Sequence, residues 1–403
     1  MGTIHDDARA IAAELSELRR SIHAEPEIGL DLPRTQRKVL DALDGLPLEI
    51  STGQGLTSVT AVLRGGAPGP TVLLRGDMDA LPVTERTGLP YASRIDGVMH
   101  ACGHDLHTTM LAGAARLLSA RQADLAGNVI FMFQPGEEGP GGGRIMVEEG
   151  VLDAAGDRPV AAYALHVASG LLPLGLCASR AGTVMAAADT LHVTVHGRGG
   201  HGSQPHRAAD PIPAACEIVL ALQTMVTRRF DVFDPIVITV GTFHAGTTDN
   251  VIGDDAHFVA TVRSFSPEAR ARVQEAAPTL VREIAAAHGL TATAEFRDGY
   301  PVTVNDAAEL DFTGRTINDV LGDGRYFAAP NPLTGAEDFS YVLEQVPGAF
   351  VMVGACPAGT DAGTAPFNHS AEAVFDDAVL PDGTALYAEL ALRRLAAAAG
   401  VAG

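Results

Sequence analysis

The fold is decided by the stretch Thr71-Val-Leu-Leu-Arg-Gly-Asp-Met-Asp79, in which an apolar run ends in two closely spaced acidic residues. Residues 71–75 are typical of a buried strand. Similar apolar runs alternate with helical stretches along the chain: strands are predicted at 58–63, 128–133 and 160–167, and helices at 105–120 and 143–149. Because such alternation is typical of parallel sheets covered on both faces, the sequence predicts an α/β domain with a mostly parallel sheet.

The rhythm of the sequence changes between residues 185 and 298. The predicted elements there have the order β-α-β-β-α-β: strand 186–196, helix 210–228, strands 235–243 and 256–264, helix 267–288 and strand 291–297. This order is that of a small α+β sandwich. Helical patterns precede it at 6–22 and 33–43, and helical and strand-like runs resume after it at 307–321, 338–345, 348–353 and 376–398. We therefore predict a discontinuous domain, 1–184 and 299–403, interrupted by an inserted domain, 185–298.

Composition excludes several classes of protein. A chain of 403 residues is long enough for about two domains with cores of their own. Its formal net charge of −21 opposes binding to nucleic acid or to an anionic membrane surface. The first residues contain no basic and apolar leader, and no apolar run approaches the ~18 residues of a membrane span. Four scattered cysteines favour a reducing compartment. We expect a cytoplasmic protein.

Polar residues come after the predicted strands, at the ends where ligands bind in open parallel sheets. Asp77 and Asp79 come after one strand, and Glu137 and Glu138 come after the next. Further donors lie in two other segments: His166 ends a strand, and Cys102, His104 and His107 lie just before or within helix 105–120. Four separate segments are therefore expected to converge on one crevice.

The residue types in this crevice suit a transition metal. Cys102 and His104 supply a thiolate and an imidazole, and Glu138 and His166 add donors that suit Zn, Mn, Co or Ni. The set contains more donors than one tetrahedral ion needs, which suggests two ions that share a water. Of the two adjacent glutamates, Glu137 and Glu138, one can bind metal while the other stays unligated as a general base.

Two other motifs point elsewhere and are not favoured. Residues 197–202 match the G-x-G-x-x-G pattern of dinucleotide sites, but prolines stand where a helix should begin. The pair Asp77 and Asp79 echoes the aspartyl-nucleophile loop of phosphatases, but Leu81 stands where Thr or Val is expected and no convincing lysine motif comes after it. Neither motif explains the histidines and the cysteine.

Taken together, the motifs resemble the metal-dependent amidohydrolase/carboxypeptidase family, which includes hippurate hydrolases, N-acetyl-amino-acid deacetylases and auxin-conjugate hydrolases. The resemblance extends from about residue 15 to 395. The motifs are Leu73-Leu-Arg-Gly-Asp77-Met-Asp79-Ala-Leu-Pro82, Met99-His-Ala-Cys102-Gly-His104-Asp-Leu-His107, Gln134-Pro-Gly-Glu137-Glu138-Gly, Gly199-Gly-His201-Gly-Ser-Gln-Pro-His206, Gly335-Ala-Glu337-Asp338-Phe339 and Phe367-Asn-His369-Ser.

The resemblance implies a di-metal hydrolase domain with a smaller lid domain that also makes dimer contacts. It implies two divalent ions per subunit, their identity among Mn, Zn, Co and Ni being open. The implied ligands are Cys102, His104, Glu138, His166 and His369. Cys102 would bridge the ions, Glu137 would be the base, and Asp79 would orient a ligand. His107 is expected to pack one helical turn beyond His104 without touching metal.

The resemblance also assigns roles within the lid. His201 would reach across a dimer to the oxyanion of the tetrahedral intermediate. Asn250 and Arg263 would bind the free carboxylate of the substrate, although Arg263 could equally be a surface strand residue. His206 stays open between support and binding.

The function implied is hydrolysis of an N-acyl amino acid, with an acetyl, benzoyl or longer acyl group, into a carboxylic acid and a free amino acid. A dipeptidase or aminobenzoyl-amino-acid hydrolase would share every metal residue. A binding protein that has kept the scaffold without turnover is the alternative from another class. A homodimer or a higher homo-oligomer is expected from the resemblance.

Overall fold

A computed structural model describes residues 2–400, which form ten α-helices and sixteen β-strands. The helices are α1 (Ile4–Ala10), α2 (Ala12–His23), α3 (Pro33–Leu43), α4 (His104–Ser119), α5 (Gly142–Glu148), α6 (Pro211–Arg229), α7 (Pro267–Ala287), α8 (Ala307–Leu321), α9 (Ser340–Leu343) and α10 (Leu380–Ala398). The strands are β1 (Leu48–Thr52), β2 (Val59–Arg64), β3 (Ala67–Asp77), β4 (Ala126–Gln134), β5 (Pro159–Ala168), β6 (Cys177–Ser179), β7 (Gly182–Met185), β8 (Ala187–His196), β9 (Gly200–His201), β10 (Ile236–Ala245), β11 (Val251–Ile252), β12 (Asp255–Ser264), β13 (Thr291–Tyr300), β14 (Thr303–Asn305), β15 (Tyr326–Ala328) and β16 (Gly348–Gly354).

The described residues divide into two compact units. The first consists of the chain up to Val184, Val304–Asn331 and the chain from Asp338 onward. Its eight-stranded sheet has the order β1-β2-β4-β3-β5-β16-β6-β15. The four central strands, β4, β3, β5 and β16, run parallel. The sheet is therefore mostly parallel, as the alternating sequence pattern predicts.

The edges of this sheet depart from the parallel expectation. Strand β2, predicted at 58–63, runs antiparallel to β4, and β1 continues the antiparallel edge. On the other side, β6 runs antiparallel to β16. The prediction missed β1, β6 and β15, because strands of three to five residues carry too few residues for a periodic pattern.

The N-terminal helical pattern is split into two helices. The sequence predicts one helix over 6–22, whereas the structure has α1 and α2 separated at Ile11. Ile11 adopts φ −101° and ψ 9°, outside the helical range, and its amide donates to carbonyls of the preceding turn. The apolar spacing continues across this break, which is why the pattern alone predicts one helix.

The second unit consists of Met185–Thr303 and Pro332–Glu337. Its antiparallel sheet has the order β10-β12-β8-β13. Helices α6 and α7 pack on one face over a core that includes Leu191, Phe258, Ile218 and Val273. The element order β8-α6-β10-β12-α7-β13 is the predicted β-α-β-β-α-β sandwich.

The bounds of the units differ from the predicted ones in two places. Residues 299–303 belong to the second unit, because β13 continues to Tyr300, which pairs with Ala188. Residues 332–337 also belong to it, because the Ala186 amide donates to the carbonyls of Leu333 and Gly335 at 3.1 and 3.0 Å. In residues 332–337 the chain returns briefly to the second unit, and no local sequence pattern predicts this return.

Within residues 2–400, no helix combines the length and the apolar character that a membrane span requires.

One buried hydroxyl joins α10 to two neighbouring strands of the first unit. Tyr387 donates its hydroxyl proton to the Arg75 carbonyl on β3 at 2.5 Å and accepts from the Leu165 amide on β5 at 2.9 Å. All three residues are buried. Because a buried backbone group without a partner is destabilising, this hydroxyl fixes the packing of α10 close to the carboxyl ends of both strands.

We predict that Tyr387→Phe lowers the free energy of unfolding by about 1–3 kcal/mol, because two buried backbone groups lose their partner. Urea unfolding followed by circular dichroism measures the change. The control is Tyr326→Phe, in which the lost bond is a long one of 3.5 Å from a half-buried hydroxyl. Its expected change lies within about 0.5 kcal/mol. Equal stability of Tyr387→Phe and the unmodified chain would contradict this role of the hydroxyl.

Candidate metal centre

The candidate centre lies at the carboxyl ends of β3, β4 and β5. Strand β3 ends at Asp77 and β4 ends at Gln134, so that Asp79, Glu137 and Glu138 lie directly after them in the connecting loops. His166 lies near the end of β5. The parallel arrangement of these strands places all of these side chains at one edge of the sheet.

The turn that precedes α4 is shaped by Gly103. This residue adopts φ +86°, in the left-handed region, and a Cβ atom there would lie 2.3 Å from Cγ2 of Val167. A side chain is therefore excluded both by backbone conformation and by space. The turn places Cys102 before the helix and His104 at its first residue, and both side chains are buried.

Cys102, His104 and His166 form a first group of donor atoms that lie within 4.8 Å of one another. The Cys102 sulfur is 3.4 Å from Nε2 of His166. Nδ1 of His166 lies 2.9 Å from the Val167 carbonyl, to which it donates, and Nε2 is therefore the nitrogen with a lone pair for the group. Strand β5 and the turn before α4 together fix this geometry.

Cys102, Glu138 and His369 form a second group within the same distance limit. Nε2 of His369 lies 3.1 Å from Oε1 of Glu138. His369 has φ +72°, a strained conformation for a residue with a side chain, and such strain is concentrated at functional sites. Cys102 belongs to both groups, which makes its sulfur the common point of the cluster.

The 3.4 Å separation in the first group fits a metal ion, and the atoms of the second group also lie within 4.8 Å of one another. Two atoms bound to one tetrahedral ion at about 2.1–2.3 Å lie roughly 3.4–3.7 Å apart. Nε2 of His104 has no hydrogen-bond partner among the described residues, although it is buried and lies 3.6–4.0 Å from carboxylate oxygens of Asp77, Glu138 and Glu137. This nitrogen is therefore available as a donor to a cation, and oxygen donors lie within reach of the same position.

The electrostatics of the cluster also favour positive charge. Burial raises the pKa of the Cys102 thiol to about 12, so a neighbouring cation is needed for the thiolate at neutral pH. Burial lowers the pKa of His104, but the Asp77 carboxylate and contacts with Asp79 and Cys102 outweigh this effect and hold that pKa well above its ordinary value. Mixed sulfur, nitrogen and oxygen donors suit Zn, Mn, Co or Ni.

Asp79 fixes the backbone of the two adjacent glutamates. Its two carboxylate oxygens accept from the amides of Glu137 and Glu138, each at 2.9 Å. Oδ1 of Asp79 also lies 3.4 Å from Nδ1 of His104. A single carboxylate therefore sets the direction in which both glutamate side chains leave the loop. Glu137 is buried, and its carboxylate forms a third group with His104 and Glu138.

A buried ion-pair network that sequence reasoning missed lies beside the cluster. Arg75 donates to Asp77 at 2.7 Å, to Asp338 at 2.9 Å and to Gln134 at 2.9 Å. Burial raises the pKa of Asp77, but Arg75 and the nearby histidines hold it well below its ordinary value. The available signal was Arg75 itself, a charged residue inside an apolar strand, because buried charges require partners.

His107 is occupied by protein partners, in keeping with its expected packing role. Its Nδ1 donates to Asp77 at 2.6 Å, and its Nε2 accepts from the Val167 amide at 2.7 Å. Asp77, His104 and His107 also form a group with metal-ligating atoms. Because both ring nitrogens of His107 are already hydrogen-bonded, this group has less to offer an ion than the two that contain Cys102.

The second unit contains the remaining predicted residues. His201 on β9 pairs with Val251 on β11, and the Gly202 amide donates to the Asn250 carbonyl at 2.8 Å. His201 and Asn250 are therefore neighbours. Nδ1 of His201 accepts from the Ser203 amide at 3.1 Å, which leaves Nε2 as the N–H donor of a neutral ring.

Arg263 and His206 lie elsewhere in the second unit. Arg263 is half-buried on β12 and donates to Oγ1 of Thr261 at 2.8 Å and to the Val262 carbonyl at 3.2 Å. His206 is exposed in a short 3-10 turn. Hydrogen bonds do not link either side chain to His201 or Asn250 among the described residues.

Comparison with known proteins gives consistent matches over nearly the whole chain. A model of Peptidase family M20/M25/M40 matches residues 73–393. The chain is 37% identical over 394 residues to thermostable carboxypeptidase 1 of Saccharolobus solfataricus, and this match covers 97% of the chain and 98% of the relative. It is 36% identical over 385 residues to the N-acetylcysteine deacetylase of Bacillus subtilis, with 95% and 97% covered.

A solved structure extends the likeness to three dimensions. A Bacillus subtilis protein described as a dinuclear metal-binding peptidase of the M20 family superposes with a TM-score of 0.83 at 33% identity, covering 96% of this chain and 99% of that protein. The predicted resemblance, the α/β fold class and the amidohydrolase class of enzyme are confirmed. The chain belongs to Peptidase family M20/M25/M40.

Proposed function

We propose that this protein hydrolyses the amide bond of an N-acyl amino acid and releases a carboxylic acid and a free amino acid. The observation that carries the proposal is that the Cys102 sulfur belongs to two groups of atoms that could hold metal ions. Glu137 forms a further group with His104 and Glu138, which are members of those two groups. A likeness to an N-acetylcysteine deacetylase supports the acyl amino acid as substrate. A dipeptide substrate is the second candidate, supported by the likeness to a carboxypeptidase.

The donor set fits two divalent ions. Cys102, His104 and His166 would hold one ion, and Cys102, Glu138 and His369 would hold the other. When bound, such ions polarise an amide carbonyl and lower the pKa of water. Because the donors include sulfur and imidazole nitrogen, we propose Zn, Mn, Co or Ni rather than Mg or Ca. The likeness to a dinuclear metal-binding peptidase supports the number of ions.

Glu137 is proposed as the general base. Asp79 holds the Glu137 amide, so the carboxylate leaves the loop in a defined direction. Its side chain removes a proton from the attacking water and then delivers that proton to the nitrogen of the leaving amine. Amide cleavage needs both transfers, since an amine anion is a poor leaving group. Asp79 is proposed as the residue that orients both Glu137 and His104.

The second unit is proposed to supply substrate-binding groups. His201 presents Nε2–H as a donor for the negative charge that develops on the carbonyl oxygen. Asn250 and Arg263 would bind the free carboxylate of the amino acid, for which a guanidinium is suited. His206 is proposed as a further binding residue.

We also propose that the protein is a cytoplasmic homodimer. Two features of the second unit support self-association: β10 is an edge strand of ten residues, and Phe233 is 94% exposed. Unpaired strand edges and exposed apolar side chains are typical of contact surfaces. All four cysteines are free thiols in the structure, which supports a reducing compartment.

We predict that Glu137→Gln lowers kcat by about 10²–10⁴ while metal content and fold are retained, because the amide cannot accept the proton of water. Amine release from N-acetyl and N-benzoyl amino acids measures turnover, and elemental analysis measures the metal. The matched control is Glu148→Gln, the same change at an exposed residue that pairs with Arg144. Full activity of Glu137→Gln would remove Glu137 from the reaction.

Removal of metal by a chelator should abolish turnover, and Mn, Co, Ni or Zn should restore it. We predict about two bound ions per chain and loss of both in Cys102→Ser, because the sulfur is shared. Cys177→Ser is the control, since Cys177 is equally buried but lies on β6 outside both groups. Retention of both ions by Cys102→Ser would contradict the shared role of its sulfur.

His201→Ala should lower kcat by about 10²–10³ without loss of metal, the usual effect of removing one donor to an oxyanion. His196→Ala, which removes an exposed histidine from β8, is the control. Mixing His201→Ala with Glu137→Gln subunits tests whether the histidine acts across the dimer, in which case activity returns. Unchanged turnover of His201→Ala would exclude the oxyanion role.

A further inference from the structure

Asn368 lies where three ligand-bearing segments meet. Its Nδ2 donates to the Val167 carbonyl at 2.9 Å and to the Cys102 carbonyl at 3.1 Å. Its Oδ1 accepts from the Ser169 amide at 3.0 Å. Asn368 itself directly precedes His369. One carboxamide therefore joins the turn before α4, the end of β5 and the loop that contains His369.

The orientation of this carboxamide is fixed by its partners. Both hydrogens of Nδ2 meet carbonyl oxygens, and Oδ1 meets an N–H donor and the Ser169 hydroxyl at 3.2 Å. A rotation of 180° would place Oδ1 against the two carbonyl oxygens of Cys102 and Val167. The arrangement therefore requires a neutral amide at this position, since an isosteric carboxylate has no hydrogen to donate.

The same amide also reaches the cluster directly. Nδ2 lies 3.7 Å from the Cys102 sulfur, close enough for one of its two hydrogens to be shared with that atom. The Val167 carbonyl accepts both from Asn368 and from Nδ1 of His166, each at 2.9 Å. A shift of Asn368 would thus move the Val167 carbonyl, which sets the ring orientation of His166. It would also move the backbone of Cys102.

We propose that Asn368 is a positioning residue of the metal centre, which holds the Cys102 sulfur and the His166 ring at the separation at which both bind one ion. The inference rests on the proposed function. Groups that support metal ligands from outside typically change metal affinity about 10–100-fold when they are altered. Asn368 is such a group, because its side chain supports the segments of Cys102 and His166. The backbone next to it adds to this support, since the His369 amide donates to the Ala101 carbonyl at 2.8 Å.

The test measures Co²⁺ binding to the metal-free full-length chain by competition with a chromophoric chelator, together with the thiolate-to-cobalt absorption band. We expect Asn368→Asp to weaken Co²⁺ binding by about 10–100-fold and to shift or weaken the band. Asn368→Ala, which adds no charge, should show a smaller loss in the same direction and serves if the aspartate variant does not fold.

The control is Asn305→Asp, because Asn305 also donates to two backbone carbonyls, those of Arg180 and Phe350. It should lower thermal stability without a comparable loss of Co²⁺ affinity. Normal affinity and an unchanged band in both Asn368 variants would overturn the positioning role while leaving the proposed function intact. If the unmodified chain shows no thiolate-to-cobalt band, the metal centre around Cys102 is wrong, and the inference falls with it.

Discussion

Carboxylates crowd the carboxyl ends of β3 and β4, and their mutual repulsion must be offset for the sheet to close over them. Asp77, Asp79, Glu137 and Asp338 are all buried. Buried carboxylates persist as anions only where hydrogen bonds or cations compensate the loss of water. Some of these carboxylates are compensated by an arginine or by backbone amides, and others face a histidine. This difference explains the layout of the site.

Asp77 and Asp338 share the guanidinium of Arg75, and Asp79 receives two backbone amides from the loop after β4. Glu137 and Glu138 are directed instead toward the buried imidazole of His104, at 4.0 and 3.9 Å. The carboxylates of Asp77, Asp79 and Asp338 thus form a hydrogen-bonded support beside the cluster. The remaining carboxylates, with a shared thiol and three imidazoles, form a cluster whose charge favours divalent cations.

Much of this site could be predicted from the sequence because its residues lie directly after strands. A strand of five or more apolar residues is readable from its pattern, and the residues at its carboxyl end lie at the ligand-binding edge of a parallel sheet. Glu138 and His166 are predicted in this way, whereas Cys102 and His104 are predicted from their position just before or at the start of a helix. His369 was predicted from the resemblance alone, since no strand pattern ends beside it.

The partners of the supporting residues could not be predicted, because these partners lie in distant segments of the chain. Arg75 and Asp338 are 263 positions apart, and Asn368 contacts Cys102 across 266 positions. The same reason explains why the compact units have bounds other than the predicted ones, since residues 332–337 join the second unit through two backbone hydrogen bonds from Ala186. Local patterns carry no information about such pairings.

The central claim is that one sulfur, that of Cys102, organises the metal centre. The most direct measurement is anomalous X-ray diffraction from crystals of the manganese- or zinc-loaded protein, recorded on both sides of the metal absorption edge. The account predicts two peaks, each about 2.3–2.5 Å from the Cys102 sulfur, one beside His104 and His166 and the other beside Glu138 and His369. A single peak, or peaks centred on Asp77 and His107 away from the sulfur, would contradict it.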